Sequence, residues 1–252
     1  MKRVGSRGTF GVIGKYAGFA ATAVWQRGLT GALRDLVSEF WFDRCHGLRT
    51  TLPSEVRARE AGYSQQVEAD AVQYQGVPPR IASAILSHLP ESAFRATFVD
   101  FGCGKGRGLA LGLVAGFRRV LGIELLPSLV EIAERNLRGL RLEYPECEAR
   151  VESGDATEFQ FPTGALVAFL YNPFRGETLK RVALRLRYHA AAFPVWIVYV
   201  NPVELTTFTS QGFTVETEHR RGGRVEAALL VPPPIDSVPA TCVRPWPPAP
   251  RH

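Results

Sequence analysis

From about residue 78 onward the apolar and polar positions alternate between two periods. Five short apolar runs, "ATFVDFG", "RRVLGIE", "CEARVESGDA", "ALVAFLYNPF" and "FPVWIVYVNP", have the length and composition of strands. "ALVAFLYNPF" is almost uniformly apolar, which predicts burial on both faces. Between the runs lie segments with helical spacing. "PPRIASAILSHLP" carries Ile81, Ile85 and Leu89 on one face, with proline near its start. "RGLALGLVAGF" and "GETLKRVALRLRYHAAA" each follow a strand. "LPSLVEIAERNLRGL" sets Leu126, Val130, Ala133 and Leu137 on a stripe, with Glu131–Arg135 and Glu134–Arg138 spaced i,i+4 on the outside. "FTVETEHRRGGRVEAALLV" reads as a hairpin whose "RGGR" turn supplies positive φ. Strands alternating with helices predict an α/β fold: a mostly parallel sheet, helices on both faces, and an antiparallel hairpin at its end.

The flanks read differently. Residues 1–70 are expected to form an N-terminal helical extension, residues 71–231 one domain, and residues 232–252 a Pro-rich disordered tail. In the extension "LTGALRDLVSEFWFDR" places Leu29, Leu33, Leu36, Val37 and Phe40 at helical spacing. It predicts an amphipathic helix packed on the main domain rather than on a membrane surface. "WFDRCHGLRTTLP" reads as a loop, with Asp43, Cys45 and His46 serving turn chemistry and not a metal. The first 25 residues loosely resemble an export signal, but Lys15 and several glycines interrupt the apolar part. A flexible or peripheral basic segment is the reading adopted.

Composition narrows the classes. The chain of 252 residues is 46% hydrophobic and 21% charged, which supports a packed core. Its net charge of +6 fits anionic partners without singling out nucleic acid. Cys45, Cys103, Cys147 and Cys242 are scattered, so neither a zinc site nor a disulfide framework is indicated, and a reducing, cytoplasmic compartment is expected. No apolar run reaches the roughly 18–20 residues of a spanning helix, so no stable membrane insertion is expected.

The chemistry concentrates in "FVDFGCGKGRG". Gly102, Gly104 and Gly106 follow a strand and precede a helix, where backbone can turn sharply and approach a ligand. A dinucleotide fingerprint, G-x-G-x-x-G, would need glycine at position 107, which is Arg107. Asp100 just ahead of the loop disfavours a pyrophosphate and suits a cationic ligand such as an amine or sulfonium. Cys103 reads as a small loop residue, and Lys105 and Arg107 as solvent-facing or carboxylate-paired.

The stretch resembles motif I of class I S-adenosylmethionine-dependent methyltransferases: an acid, any residue, then three alternating glycines. Further matches stand at the ends of successive strands: Glu124 in "VLGIE", Asp155 and Ala156 in "SGDA", and Asn172, Pro173 and Phe174 in "YNPF". The resemblance, over about residues 70–231, implies a Rossmann-like seven-stranded sheet and S-adenosyl-L-methionine as cofactor. It implies contact with the cofactor by Asp100, Phe101, Gly102, Cys103, Gly104, Gly106, Glu124, Asp155, Ala156 and Asn172. Glu124 would hold the ribose hydroxyls, and Asp155 the adenine amino group. The layout also looks like uncharacterised bacterial methyltransferases distantly similar to the Dot1 type, in which a tyrosine placed like Tyr74 closes over the cofactor.

"NPF" resembles the Asn/Asp-Pro-Pro-Tyr/Phe motif of amino-group methyltransferases, with one proline where that motif has two. It implies that Asn172, Pro173 and Phe174 are catalytic and that the acceptor is an amino nitrogen. A protein or small-molecule acceptor is expected before nucleic acid. The basic helix bearing Arg175, Lys180, Arg181, Arg185 and Arg187 reads as a solvated face. His88, His189 and His219 have no carboxylate partner suggested by the sequence. The alternatives are an NAD(P)-dependent oxidoreductase and a non-catalytic S-adenosylmethionine-binding module.

Overall fold

Seven strands hydrogen-bond in the order β3-β2-β1-β4-β5-β7-β6. They are β1 Thr97–Phe101, β2 Arg119–Glu124, β3 Glu148–Ser153, β4 Leu166–Tyr171, β5 Val195–Val200, β6 Thr214–Arg221 and β7 Arg224–Val231. The computed structural model describes residues 28–51 and 74–233. The basic segment before residue 28, residues 52–73 and the Pro-rich tail from residue 234 lie outside the described residues. Strands β1 to β5 pair in parallel, and β7 joins β5 antiparallel. The two-residue β6–β7 turn is made by Gly222 and Gly223 at φ 54° and 83°, as "RGGR" predicts.

The helices in chain order are α1 (residues 28–45), α2 Pro79–Leu86, α3 Arg107–Val114, α4 Pro127–Glu143, α5 Gly176–His189 and the short α6 Leu205–Thr209. Side-chain alternation divides each strand between two cores. Phe98, Val167, Phe169, Val198 and Val200 face the cluster under α2, α3 and α4, filled by Ile81, Ile85, Leu109, Leu137 and Leu140. Val99, Phe101, Ala168, Leu170, Ile197 and Tyr199 face Leu179, Val182, Leu186 and Phe208 of α5 and α6. That double burial is why β4 is apolar at every position. A 3₁₀ turn at Glu91–Arg95 and the helix α6 had no sequence signal: both are short.

Four expectations are corrected. Helix α1 extends through residue 45, so "WFDRC" is helical and the loop begins after it. Its apolar stripe does not pack on the domain. Asp35, Glu39 and Asp43, spaced i,i+4,i+8, turn inward to Arg80 and Arg107 instead, leaving Leu29, Leu33, Leu36, Val37 and Phe40 exposed. On α5, Arg185 and Arg187 are buried, and only part of that basic set is solvated. Arg185 donates to the carbonyls of Ala156, Thr157 and Phe159 and lies over the Phe161 ring. On α4 the buried residues are Leu129, Ala133, Asn136, Leu137 and Leu140, and Glu134 pairs with Arg141 at 3.0 Å.

Candidate functional site

The strand order reverses between β1 and β4, and the loop after β1 opens at that switch point, where doubly wound sheets hold ligands. The chain turns there within three residues. The amides of Gly102 and Cys103 both donate to the Ile123 carbonyl, at 2.8 and 3.0 Å. Gly102, Gly104 and Gly106 take φ of 71°, 55° and 86°, which an L side chain rarely adopts. Two of them also make room for side chains. A Cβ on Gly102 would sit 2.3 Å from Pro173 Cβ, and one on Gly104 would sit 2.3 Å from the Tyr74 ring. The structure therefore brings Tyr74 and Pro173 directly onto the loop, and the glycines serve the chain's own packing as well as any ligand.

Two carboxylates flank this turn. Asp100 is buried in β1, one residue before its end, in register with Gly122 of β2. Its carboxyl lies against the first turn of α3, so close to Gly108 that a Cβ there would be 2.2 Å from Oδ2. Burial, and then the charge of Glu124, push the Asp100 carboxyl up to about 8. Among the described residues it forms no ion pair. Glu124 ends β2 and is buried as well. One of its oxygens accepts from the Gly104 amide at 2.8 Å and the other from the Leu126 amide at 2.9 Å. Burial raises its pKa, while those amides hold it down. The Leu125 amide bears on the same carboxylate, which as an acceptor of about four hydrogen bonds is not filled by these amides.

Asp155 and Ala156 follow β3. Asp155 Oδ1 accepts from the Thr157 amide at 2.7 Å and caps the turn, and Ala156 is buried with its carbonyl held by Arg185. Asn172 follows β4 at φ 45°, a left-handed conformation that asparagine tolerates better than most residues. It is 8% exposed, and its Oδ1 is buried with no hydrogen-bond partner. An orphaned buried acceptor is costly and marks a place where a donor is missing. Its chain neighbour Tyr171 lines a small cleft with Ile81, Val200, Asn201, Arg224 and Glu226.

Three expected site residues have their side chains in the core. Phe101 is fully buried among Phe159 and Phe161, so only its backbone reaches the turn. Cys103 is buried in the core, with its thiol raised well above its usual value by burial, which suits packing and not nucleophilic chemistry. Phe174 is buried in the cluster of α5, not presented at the cleft. His219, for which the sequence suggested no carboxylate, lies 3.8 Å from Glu226.

Contacts the sequence did not disclose tie the extension to the glycine loop. Arg107, 1% exposed, donates to Glu39 at 2.9 Å, Thr50 Oγ1 at 2.6 Å, Thr51 Oγ1 at 2.8 Å and the Val77 carbonyl at 3.2 Å. Asp43 accepts from the amides of Thr50 and Thr51 and pairs with Arg107 at 3.5 Å. The Tyr74 hydroxyl donates to the Thr50 carbonyl at 2.9 Å, and Lys105 lies over the Tyr74 ring. Asn136 accepts from the Arg49 amide and donates to the Lys105 carbonyl. A lone arginine opening the apolar helix "RGLALGLV", with acids spaced i,i+4 in the extension to pair it, was the available signal.

The strand order and the glycine turn at its switch point define the class I methyltransferase fold. No protein-family model matches the chain, and no curated protein does. Solved structures do resemble it. A protein of Pyrococcus horikoshii described as a proposed RNA methyltransferase aligns at 18% identity and a TM-score of 0.50, over 81% of this chain and 98% of its own. The ribosomal protein L11 methylase of Lactobacillus delbrueckii subsp. bulgaricus aligns at 15% identity and a TM-score of 0.45, over 60% and 76%. The geranyl diphosphate C-methyltransferase of Streptomyces coelicolor aligns at 14% and 0.44, over 61% and 77%. At these identities the likeness is one of fold. Among the described residues no group of His, Cys, Asp and Glu could hold a metal, and no helix is long and apolar enough to cross a membrane.

Proposed function

We propose that the chain is a methyltransferase that uses S-adenosyl-L-methionine and transfers its methyl group to an amino nitrogen. The observation that carries the reading is the pair of buried carboxylates, Asp100 and Glu124, set on either side of a positive-φ glycine turn at the switch point of this sheet. Two acids there repel a pyrophosphate and suit a ligand rich in hydroxyls and positive charge. Glu124 would accept from the ribose hydroxyls. Asp100 offers a carboxyl to the cationic end. The turn bearing Asp155 and Ala156 would border the base, and Tyr74 would close over the loop.

Methyl transfer from a sulfonium is an in-line displacement in which the cofactor supplies an electrophilic methyl group. The chain's part is to position the acceptor and exclude water. Asn172 Oδ1 would accept a hydrogen bond from the acceptor's N–H and so aim the nitrogen lone pair away from the carboxamide. Pro173, held on Gly102, fixes that carboxamide relative to the loop. With Phe174 in the core, any aromatic contact with the acceptor would come from another ring, and Tyr171 lines the adjoining cleft.

The test is calorimetric titration with S-adenosyl-L-methionine, S-adenosylhomocysteine and the nicotinamide dinucleotides, followed by labelled-methyl transfer to fractionated lysate. Binding of S-adenosyl-L-methionine and of S-adenosylhomocysteine, and of neither dinucleotide, is expected. Asp100→Ala and Glu124→Ala should each weaken it by roughly 1.5–3 kcal/mol, the range for lost charge-assisted bonds. Asn172→Ala should lower turnover more than cofactor affinity. Unchanged affinity in both acid variants would refute the site.

A further inference from the structure

Helix α1 presents its apolar side to solvent. Leu29, Leu33, Leu36, Val37, Phe40 and Trp41 are each between 46% and 68% exposed. At 3.6 residues per turn they fall, with Arg44 among them and Arg34 at one edge, on an arc of about 160°. No acid lies on that arc. All three acids of the helix point the other way: Asp35 to Arg80 at 3.7 Å, Glu39 and Asp43 to Arg107 at 2.9 and 3.5 Å. Pairing with Arg80 and the buried Arg107 thus leaves the outer face without negative charge. The chain leading into the helix continues the pattern. From Met1 to Arg34 it holds Lys2, Arg3, Arg7, Lys15, Arg27 and Arg34 and no Asp or Glu, interspersed with Phe10, Ile13, Phe19 and Trp25.

We propose that the outer face of α1 docks the protein on the surface of an anionic phospholipid bilayer. The apolar residues would enter the headgroup–acyl boundary, and Arg34 and Arg44 would reach anionic headgroups along their stems. Charge decides against the other occupants. A second copy of α1 would bring Arg34 and Arg44 to a face with no acid to pair them. The chain's own residues 1–27 would bring five more cations and no anion to the same arc. Only a surface that is itself anionic offsets both. This is peripheral adsorption, and it does not depend on the reaction the domain performs.

The test uses the purified full chain with vesicles of mixed phosphatidylglycerol and phosphatidylcholine, and with vesicles of phosphatidylcholine alone. The protein is expected to co-float with the mixed vesicles, with tryptophan emission moving to shorter wavelength, and to stay free of the neutral ones. Leu33→Ser with Val37→Ser should abolish co-flotation at an unchanged melting temperature, since both side chains are exposed. Arg34→Gln with Arg44→Gln should weaken binding to the mixed vesicles on the order of tenfold or more. A full chain that stays in solution with anionic vesicles overturns the proposal. So does co-flotation that survives the serine pair, or a solution dimer that the serine pair splits while vesicle binding is absent.

Discussion

Asp100 is a carboxylic acid held back from ionising. Its surroundings are the buried end of β1, the first turn of α3 and the neighbouring carboxylate of Glu124, and together burial and that charge push it up to about 8. The consequence for stability has a definite sign. Between the ordinary carboxylate range and about pH 8 the folded chain keeps a proton that the unfolded chain releases, so stability falls as pH rises across that window and levels off above it. The slope is at most about 1.4 kcal/mol per pH unit for one proton. Asp100→Asn should remove it, as read from urea unfolding at several pH values; an identical slope in the variant would assign the proton elsewhere. The same residue sets a condition on cofactor binding. A cationic ligand favours the ionised acid, so binding should release a proton and tighten as pH rises toward 8. Titrations in two buffers of different ionisation enthalpy count that proton.

At the scale of elements, α1 depends on one side chain that belongs to another helix. Arg107 pairs with both Glu39 and Asp43, and all three are largely desolvated. Removing one member of a buried charge cluster leaves the others unpaired, at about 3–5 kcal/mol. Arg107→Ala should therefore release α1 and the segment to residue 51. In hydrogen exchange, amides in residues 28–51 should lose protection while those of β1, β4 and β5 keep theirs. Loss of protection throughout would mean that Arg107 supports the sheet and not the extension alone. This docking also marks the limit of what the sequence discloses. Strands β1 to β5, the helices between them and the glycine hairpin turn were legible because each is fixed by local periodicity and turn chemistry. So was the placement of Asp100, Glu124 and Asn172 at or beside strand ends. The orientation of α1 was not, because both of its faces are self-consistent: apolar on one side, acidic on the other. The choice was made by a buried arginine some 70 residues later. The core placement of Phe174 was hidden for a similar reason, since strand-end aromatics can turn either way and only the packing of α5 decides.

The whole molecule joins these two scales at a single loop. Residues 102–107 carry the amide that Glu124 accepts from, the carbonyl that Asn136 holds, the glycine under Tyr74 and the arginine that anchors α1. Docking of the extension and binding of a nucleoside would both require that loop in one conformation, so whichever comes first lowers the entropic cost of the other. Linkage then demands reciprocity: the factor by which a cofactor strengthens docking must equal the factor by which docking strengthens the cofactor. S-adenosylhomocysteine should accordingly raise exchange protection in residues 28–51, none of which is expected to touch it. Arg107→Ala should weaken its binding by a similar factor, roughly 5- to 150-fold on the usual scale of such couplings. The opposite sign is informative too. If the compound lowers protection of that segment, Tyr74 lies across the entrance in the docked state, and the hydroxyl that bonds Thr50 must let go before the crevice opens.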